Sequence, residues 1–342
     1  MSLWMKMNNF IEQISCVPFY KVNDIKKNVT LLTDKQRKRA NLLLRQLLEN
    51  NDNGNLQICL RGENYRNLSA KLFTERERNS NVFSLEFYRR CFMLGDKAKT
   101  YYLCNYNTNN PIPWSFDIAK VNSSDFDFIF YELSYFVKQN NSSWKVSNLE
   151  FVNYFSNNNN KPGFKTLLSN LSPDEQLIIR DYYCWLLHTA ATERFQSHSY
   201  YVSATTDPEM CYNFSNDNGP LAVVYFIPHP SSTLSTSLQT LLYANQSLTS
   251  QGLPVIESEV YPDEFEVSIK GGLFPHFIIG FYEYESNRFV FNHNIFKKYN
   301  RSNKKIFSNG IKIDQSDFFD YLKKTSYNRG VGLLSNGNYT NI

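Results

Sequence analysis

The sequence predicts an α+β fold. Three observations carry that reading. Helical patterns fill the first half of the chain, strand patterns dominate from Tyr200 onward, and the two never alternate in the way that builds a doubly wound parallel sheet. The chain has 342 residues, 42% hydrophobic and 16% aromatic, enough for a large core in one domain with insertions or in two packed domains.

Each element has a local reason. Asp34 can cap an amphipathic helix running through Ala40 to Leu48, which stops at the turn-rich Asn50-Asn51-Asp52-Asn53-Gly54. Leu56 to Arg61 alternates as a strand, with Leu56, Ile58 and Leu60 on one face; Gly62 then offers a sharp turn. From 63 to about 170 the chain reads as helical and loop-rich, punctuated by Pro111-Ile112-Pro113 and by a surface loop at Asn157 to Asn160. Ser172-Pro173-Asp174-Glu175 is a capping box with Pro at the first helical position, opening a helix to about Glu193. Strands are expected at 200–205, 221–227, 264–269, 277–284 and 288–293, with a hairpin turn at Ser286-Asn287, then a helix over about 315–325. The organisation is a helical N-terminal region (1–54), a main domain (55–328) with a helical insertion at about 63–199, and a flexible tail (329–342).

Composition narrows the function classes. A net charge of +4, from 36 basic and 32 acidic residues, is dispersed, so nucleic acid is not an expected partner. The densest basic run, Asp34 to Arg39, reads as the solvated face of a helix. The six cysteines form no Cys-x-x-Cys and no histidine pair has zinc spacing; buried reduced thiols and no metal are expected. The N-terminus lacks the apolar core of a signal peptide, and the longest apolar run, Leu221 to Ile227, is too short to cross a bilayer. A soluble chain without a membrane partner is expected, cytoplasmic or delivered into a target cell without a cleaved signal.

Three segments can carry chemistry. Arg61 closes a strand before Gly62, where a planar guanidinium suits a phosphate and the glycine lets a ligand approach the backbone. In Tyr200 to Phe214, period two puts Tyr201, Ser203 and Thr205 on one face, where two hydroxyls can orient a carboxylate or a ribose; Phe214, on the helix that follows, can close over a ring. In Asp263 to Gly280, Glu264, Glu266 and Ser268 share one strand face, and two carboxylates so close push their titrations apart.

In this order, an Arg-Gly strand, an aromatic-x-Ser-x-Thr strand and Glu-x-Glu-Val resemble the ADP-ribosyltransferases of the Arg–Ser–Glu class. That class includes the arginine-modifying toxins, and the domain family named for its Phe-Arg-Gly motif is similar. The resemblance covers Leu56 to Gly62 and Tyr200 to about Tyr284, with Ala204 and Thr205 standing where the usual triplet has Thr and Ser. It implies two small, mostly antiparallel sheets around an NAD cleft. It implies that Arg61 anchors the phosphates of NAD, that Ser203 braces Glu266 with help from Thr205, and that Glu266 holds the ribose. Glu264 would position an acceptor arginine on a protein partner, and Tyr201 or Phe214 would stack on nicotinamide. NAD hydrolysis at the same site, or a non-catalytic module binding a nucleotide, RNA or protein, are the competing readings. Arg194 is an alternative to Arg61, and Glu257-Ser258-Glu259-Val260 is a second Glu-x-Glu-Val.

Overall fold

The computed structural model describes residues 3–23, 28–54, 56–80, 87–88, 91, 121–139, 142–190, 201–215, 219–228, 245–270, 278–292, 332–335 and 338–341. In chain order these form α1 (Leu3–Cys16), β1 (Phe19–Asn23), β2 (Asn28–Leu31), α2 (Asp34–Asp52), β3 (Leu56–Asn64), α3 (Tyr65–Leu72) and α4 (Glu75–Arg78). Then follow α5 (Ser123–Gln139), α6 (Ser142–Ser147), α7 (Leu149–Ser156), α8 (Asn160–Ser169), α9 (Pro173–Thr189), β4 (Tyr201–Thr205), α10 (Pro208–Ser215) and β5 (Pro220–Pro228). A 3-10 turn at Pro262–Glu264, β6 (Glu266–Lys270), β7 (Ile278–Glu283), β8 (Arg288–Phe291), β9 (Gly332–Ser335) and β10 (Asn338–Asn341) complete the set.

The α+β class holds, but the sheet arrangement differs from the expected pair of small sheets. The strands β2-β1-β8-β7-β5-β3-β4-β6 form one eight-stranded sheet, antiparallel except where β1 runs parallel to β8. β9 and β10 make a separate two-stranded ribbon in the tail. The reason is the join between β3 and β4, a single pair, Leu60 with Thr205, which makes one sheet of what would otherwise be two. β3 pairs with β5 along its whole length, Leu56↔Pro228 to Asn64↔Pro220, so this early strand lies in the middle of the sheet. The N-terminal region is not purely helical: its β1–β2 hairpin extends the sheet beyond β8.

Local chemistry explains the boundaries. Thr33, rather than Asp34, caps α2: its hydroxyl accepts from the Gln36 amide while the Gln36 side chain accepts from the Thr33 amide at 3.2 Å. The Ser172 capping box opens α9, and that helix ends at Thr189, earlier than Glu193. Between β7 and β8 the turn uses Asn287 at φ 47°, a left-handed position that Asn tolerates. Cys59, Cys91, Cys184 and Cys211 are buried free thiols, whereas Cys16 is exposed; Cys104 and the helix expected over 315–325 lie outside the described residues. Among the described residues no helix is long and apolar enough to cross a membrane.

Two features of packing position the site. The helical insertion packs around an aromatic cluster, with Phe130–Phe155 at 5.4 Å and Phe155–Tyr183 at 5.5 Å between ring centroids. That cluster holds α9, whose Asp181 carbonyl accepts from the buried Tyr201 hydroxyl at 2.9 Å and so ties the helix to β4. On the other side α10 lies against β3 at Gly62. A Cβ there would stand 2.2 Å from the Cys211 carbonyl and 3.0 Å from the Ser215 nitrogen. β3 runs through Gly62 without turning, so this glycine serves helix packing, not a sharp turn.

Gly62→Ala is therefore expected to destabilise the fold by about 1–3 kcal/mol, since the obstruction is backbone. Gly163, inside α8 with nothing within 4 Å of its Cβ position, should instead gain about 0.5–1 kcal/mol on change to Ala. Urea denaturation of the two variants measures both; equal effects would overturn the assignment.

Candidate active site

β3 and β4 share one ladder pair, and the space where their pairing ends is a cleft of about 560 Å³. That volume is in the range of small-molecule sites. Arg61 and Gly62 from β3, His188 from α9, Ser203 and Thr205 from β4, Phe214 from α10, and Glu264 and Glu266 from the turn and strand β6 all line it.

Arg61 lies at the junction. Its Nη1 donates to the Ser203 carbonyl at 2.6 Å, and its Nε donates to Oε1 of Glu63, two residues along the same strand, at 2.8 Å. These contacts fix the guanidinium plane, and the group has more donors than they use. Glu63 is buried and fixes Arg61 in orientation.

Glu266 is the carboxylate the fold surrounds with donors. It pairs with Ser268 on its own strand, whose hydroxyl donates to Oε1 at 3.1 Å. The Nε2 of His188 lies 3.4 Å from the same oxygen and 2.9 Å from Ser203 Oγ. Burial works against the Glu266 charge, but the hydrogen bond and charge of His188, with the hydroxyls of Ser203 and Ser268, outweigh it and hold the carboxyl below its usual range. Because its contacts to Ser203 and Glu266 use one nitrogen, the imidazole does not bridge serine and carboxylate as the base of a hydrolytic triad does.

Glu264 reaches the cleft differently from the sequence expectation. It does not alternate with Glu266 on a strand. It ends the 3-10 turn, and β6 begins only at Glu266 because Phe265 between them is left-handed, at φ 48° and ψ 43°. Thr205 secures this turn: its hydroxyl donates to the Glu264 carbonyl at 2.8 Å, and the Thr206 amide donates to the Phe265 carbonyl at 3.2 Å. Burial and the charge of Glu266 push the Glu264 carboxyl up. Glu259 is raised by the same two causes. Glu257 and Glu259 precede the turn on a loop whose backbone is held by Asn148 Oδ1, and neither lines the cleft.

Arg61, Gly62, Ser203, Thr205, Phe214, Glu264 and Glu266 thus share one cleft. Gly62 and Thr205 also have structural roles, and Tyr201 lies apart from the cleft. Gly62 makes room for α10 as well as lining the cleft. Thr205 spends its hydroxyl on the turn. Tyr201 is fully buried beneath the His188 ring, 5.7 Å between centroids, and does not line the cleft. Phe214, 52% exposed at the cleft, is the ring free to stack, and Tyr261, 48% exposed, joins it. Arg194 lies outside the described residues. The sequence reading missed His188 and Glu63. Glu63 could have been found, since period two puts it beside Arg61; His188 is distant in sequence and gives no local signal. No family model, curated protein or solved structure matches this chain.

The two carboxylates should titrate apart: Glu264 above its usual range and Glu266 below it, read by carboxyl carbon NMR. The signs for stability are opposite. A raised carboxyl binds its proton more tightly when folded, so the Glu264 contribution improves as pH falls through its folded midpoint. The lowered Glu266 contributes stability that is present above its unfolded midpoint and lost as pH falls through its folded one. Glu266→Gln should move the Glu264 midpoint down; no movement would separate the pair.

Proposed function

We propose that this chain cleaves NAD between nicotinamide and ribose and transfers the ADP-ribose to a protein arginine. The observation that carries the reading is the convergence of Arg61, Ser203 and Glu266 in one cleft, with Glu264 beside them. The chemistry follows from those groups. Arg61, fixed by Glu63 and the Ser203 carbonyl, has donors to spare for a pyrophosphate. As the bond to nicotinamide breaks, positive charge develops on the ribose, and nicotinamide leaves as a neutral amide. Glu266, kept ionised despite burial, opposes that charge where water is scarce. Phe214 stacks on the nicotinamide ring. The acceptor nitrogen then bonds to the ribose carbon and releases a proton. Glu264, whose carboxyl is raised and more easily protonated, orients the guanidinium and lies where that proton is released.

Labelled NAD, with and without cell extract, tests this. The expected result is label on protein. Glu266→Gln should lose both transfer and NAD cleavage by about 100-fold or more, while NAD still binds. Glu264→Gln should keep cleavage and lose transfer. Arg61→Lys keeps the charge but not the fork, and should weaken NAD binding in calorimetry by about tenfold. Free ADP-ribose in place of labelled protein would make the chain a hydrolase. Neither product would make the cleft a binding module.

A further inference from the structure

His188 lies in the last turn of α9, where the helix C-terminus favours a protonated imidazole. Its geometry points beyond that role. The side chain is buried, and its Nε2 reaches both Ser203 Oγ at 2.9 Å and Glu266 Oε1 at 3.4 Å. An ionised carboxylate only accepts. If Nε2 carried a lone pair, Ser203 would give it its hydrogen, and of these hydroxyls only that of Ser268 would be left to donate to Glu266. With a hydrogen on Nε2, the imidazole donates to Ser203 or to Glu266, and the serine hydroxyl is free to donate to the carboxylate. This arrangement gives Glu266 a further donor beside Ser268.

The surrounding charges sharpen the requirement. Glu264 from the turn and Glu259 from the loop before it both feel the charge of Glu266. Arg61 and Glu63 on β3 are occupied with each other. Among the described residues, the basic group in direct contact with Glu266 is His188.

We propose that His188 is the positioning residue of this cleft: with a hydrogen on Nε2, it locks the Glu266 carboxylate in place, by donating to it or to Ser203, whose hydroxyl then donates to it. Its effect on turnover rests on the NAD-cleaving reading above; its contact with Glu266 does not. The role is orientation of a transition-state partner, so it acts on kcat and not on substrate binding.

Two variants and one spectroscopic measurement test it. His188→Leu keeps bulk and removes the donor; kcat for NAD cleavage should fall about 10- to 100-fold, the scale of a lost orienting partner, with KM within about twofold. His188→Gln puts an amide N–H at similar reach and should restore most of kcat. Equal losses in both variants, a loss confined to KM, or no loss in either overturns the proposal. The measurement is a nitrogen NMR titration of the His188 ring in the unaltered chain and in Glu266→Gln. Removing the carboxylate charge should move the ring midpoint down by about one unit. An unmoved midpoint overturns the proposal even if the chain never cleaves NAD, whereas a moved midpoint without cleavage upholds the contact and sinks only the enzymatic reading.

Discussion

Between β3 and β4 the backbone ladder has one rung, Leu60 with Thr205, and the site is built on what happens where it stops. A strand edge that loses its partner leaves carbonyls that must be satisfied. At Ser203 the Arg61 side chain supplies the donor the neighbouring backbone does not, at 2.6 Å. The same guanidinium is thus a structural strut across the opening and the cation that faces into it. A continuous ladder would have closed the cleft; a break without Arg61 would have left the Ser203 carbonyl unpaired and the strands free to part.

The acidic wall of the cleft is made by a conformational departure. Phe265 is one of two non-glycine residues at positive φ among those described, the other being Asn287 in a hairpin. A bulky aromatic there is strained, and such strain persists only where neighbours enforce it. Thr205, Thr206 and the start of β6 do so by gripping the carbonyls of Glu264 and Phe265. The result is two carboxylates in one cleft with different environments. Glu266 lies among hydroxyls and an imidazole, and Glu264 at the half-buried edge of a turn. Upstream, the loop that enters this turn is pinned by the helical insertion: Asn148 holds the amides of Glu257 and Ser258, Tyr182 holds that of Ile256, and Tyr183 donates to the Pro254 carbonyl.

What the sequence made legible follows from the range of its signals. Periodicity of two located β3 to β8 wherever the pattern was long. The capping box at Ser172 located α9, because both act within a few residues. The β1–β2 hairpin was missed. The single sheet was missed because the rung at Leu60 and Thr205 joins residues 145 positions apart and leaves no mark on either segment. The same range limits apply in the site. Arg61, Ser203 and Glu266 could be named because each belongs to a strand motif. Glu264 was given the right neighbourhood for the wrong reason, alternation, because nothing local shows that Phe265 turns left-handed. Gly62 was read as a point of approach for a ligand, when the space it leaves is filled by the Cys211 carbonyl of a helix 149 residues away. His188 lies in an apolar helical stretch where period and composition say only that the helix is buried.

These dependencies bind the fold and the chemistry into one unit. Glu266 carries its charge in a largely buried position, a state that disfavours folding unless donors meet it. The donors come from three separate places: Ser268 on β6, Ser203 on β4 and His188 at the end of α9. Each of those elements is itself held by something distant. β4 is tied to α9 by the Tyr201 hydroxyl, α9 is held by the aromatic cluster of the insertion, and β6 is paired with β4 from Thr205↔Glu266 to Tyr201↔Lys270. The helices α5 to α8, none of whose described residues lines the cleft, are therefore part of the site in the physical sense. Removing these four helices would free α9, withdraw the imidazole, and leave the carboxylate with fewer donors. The carboxylate would then be expected to take up a proton, and with it lose the charge on which a developing cation could be stabilised.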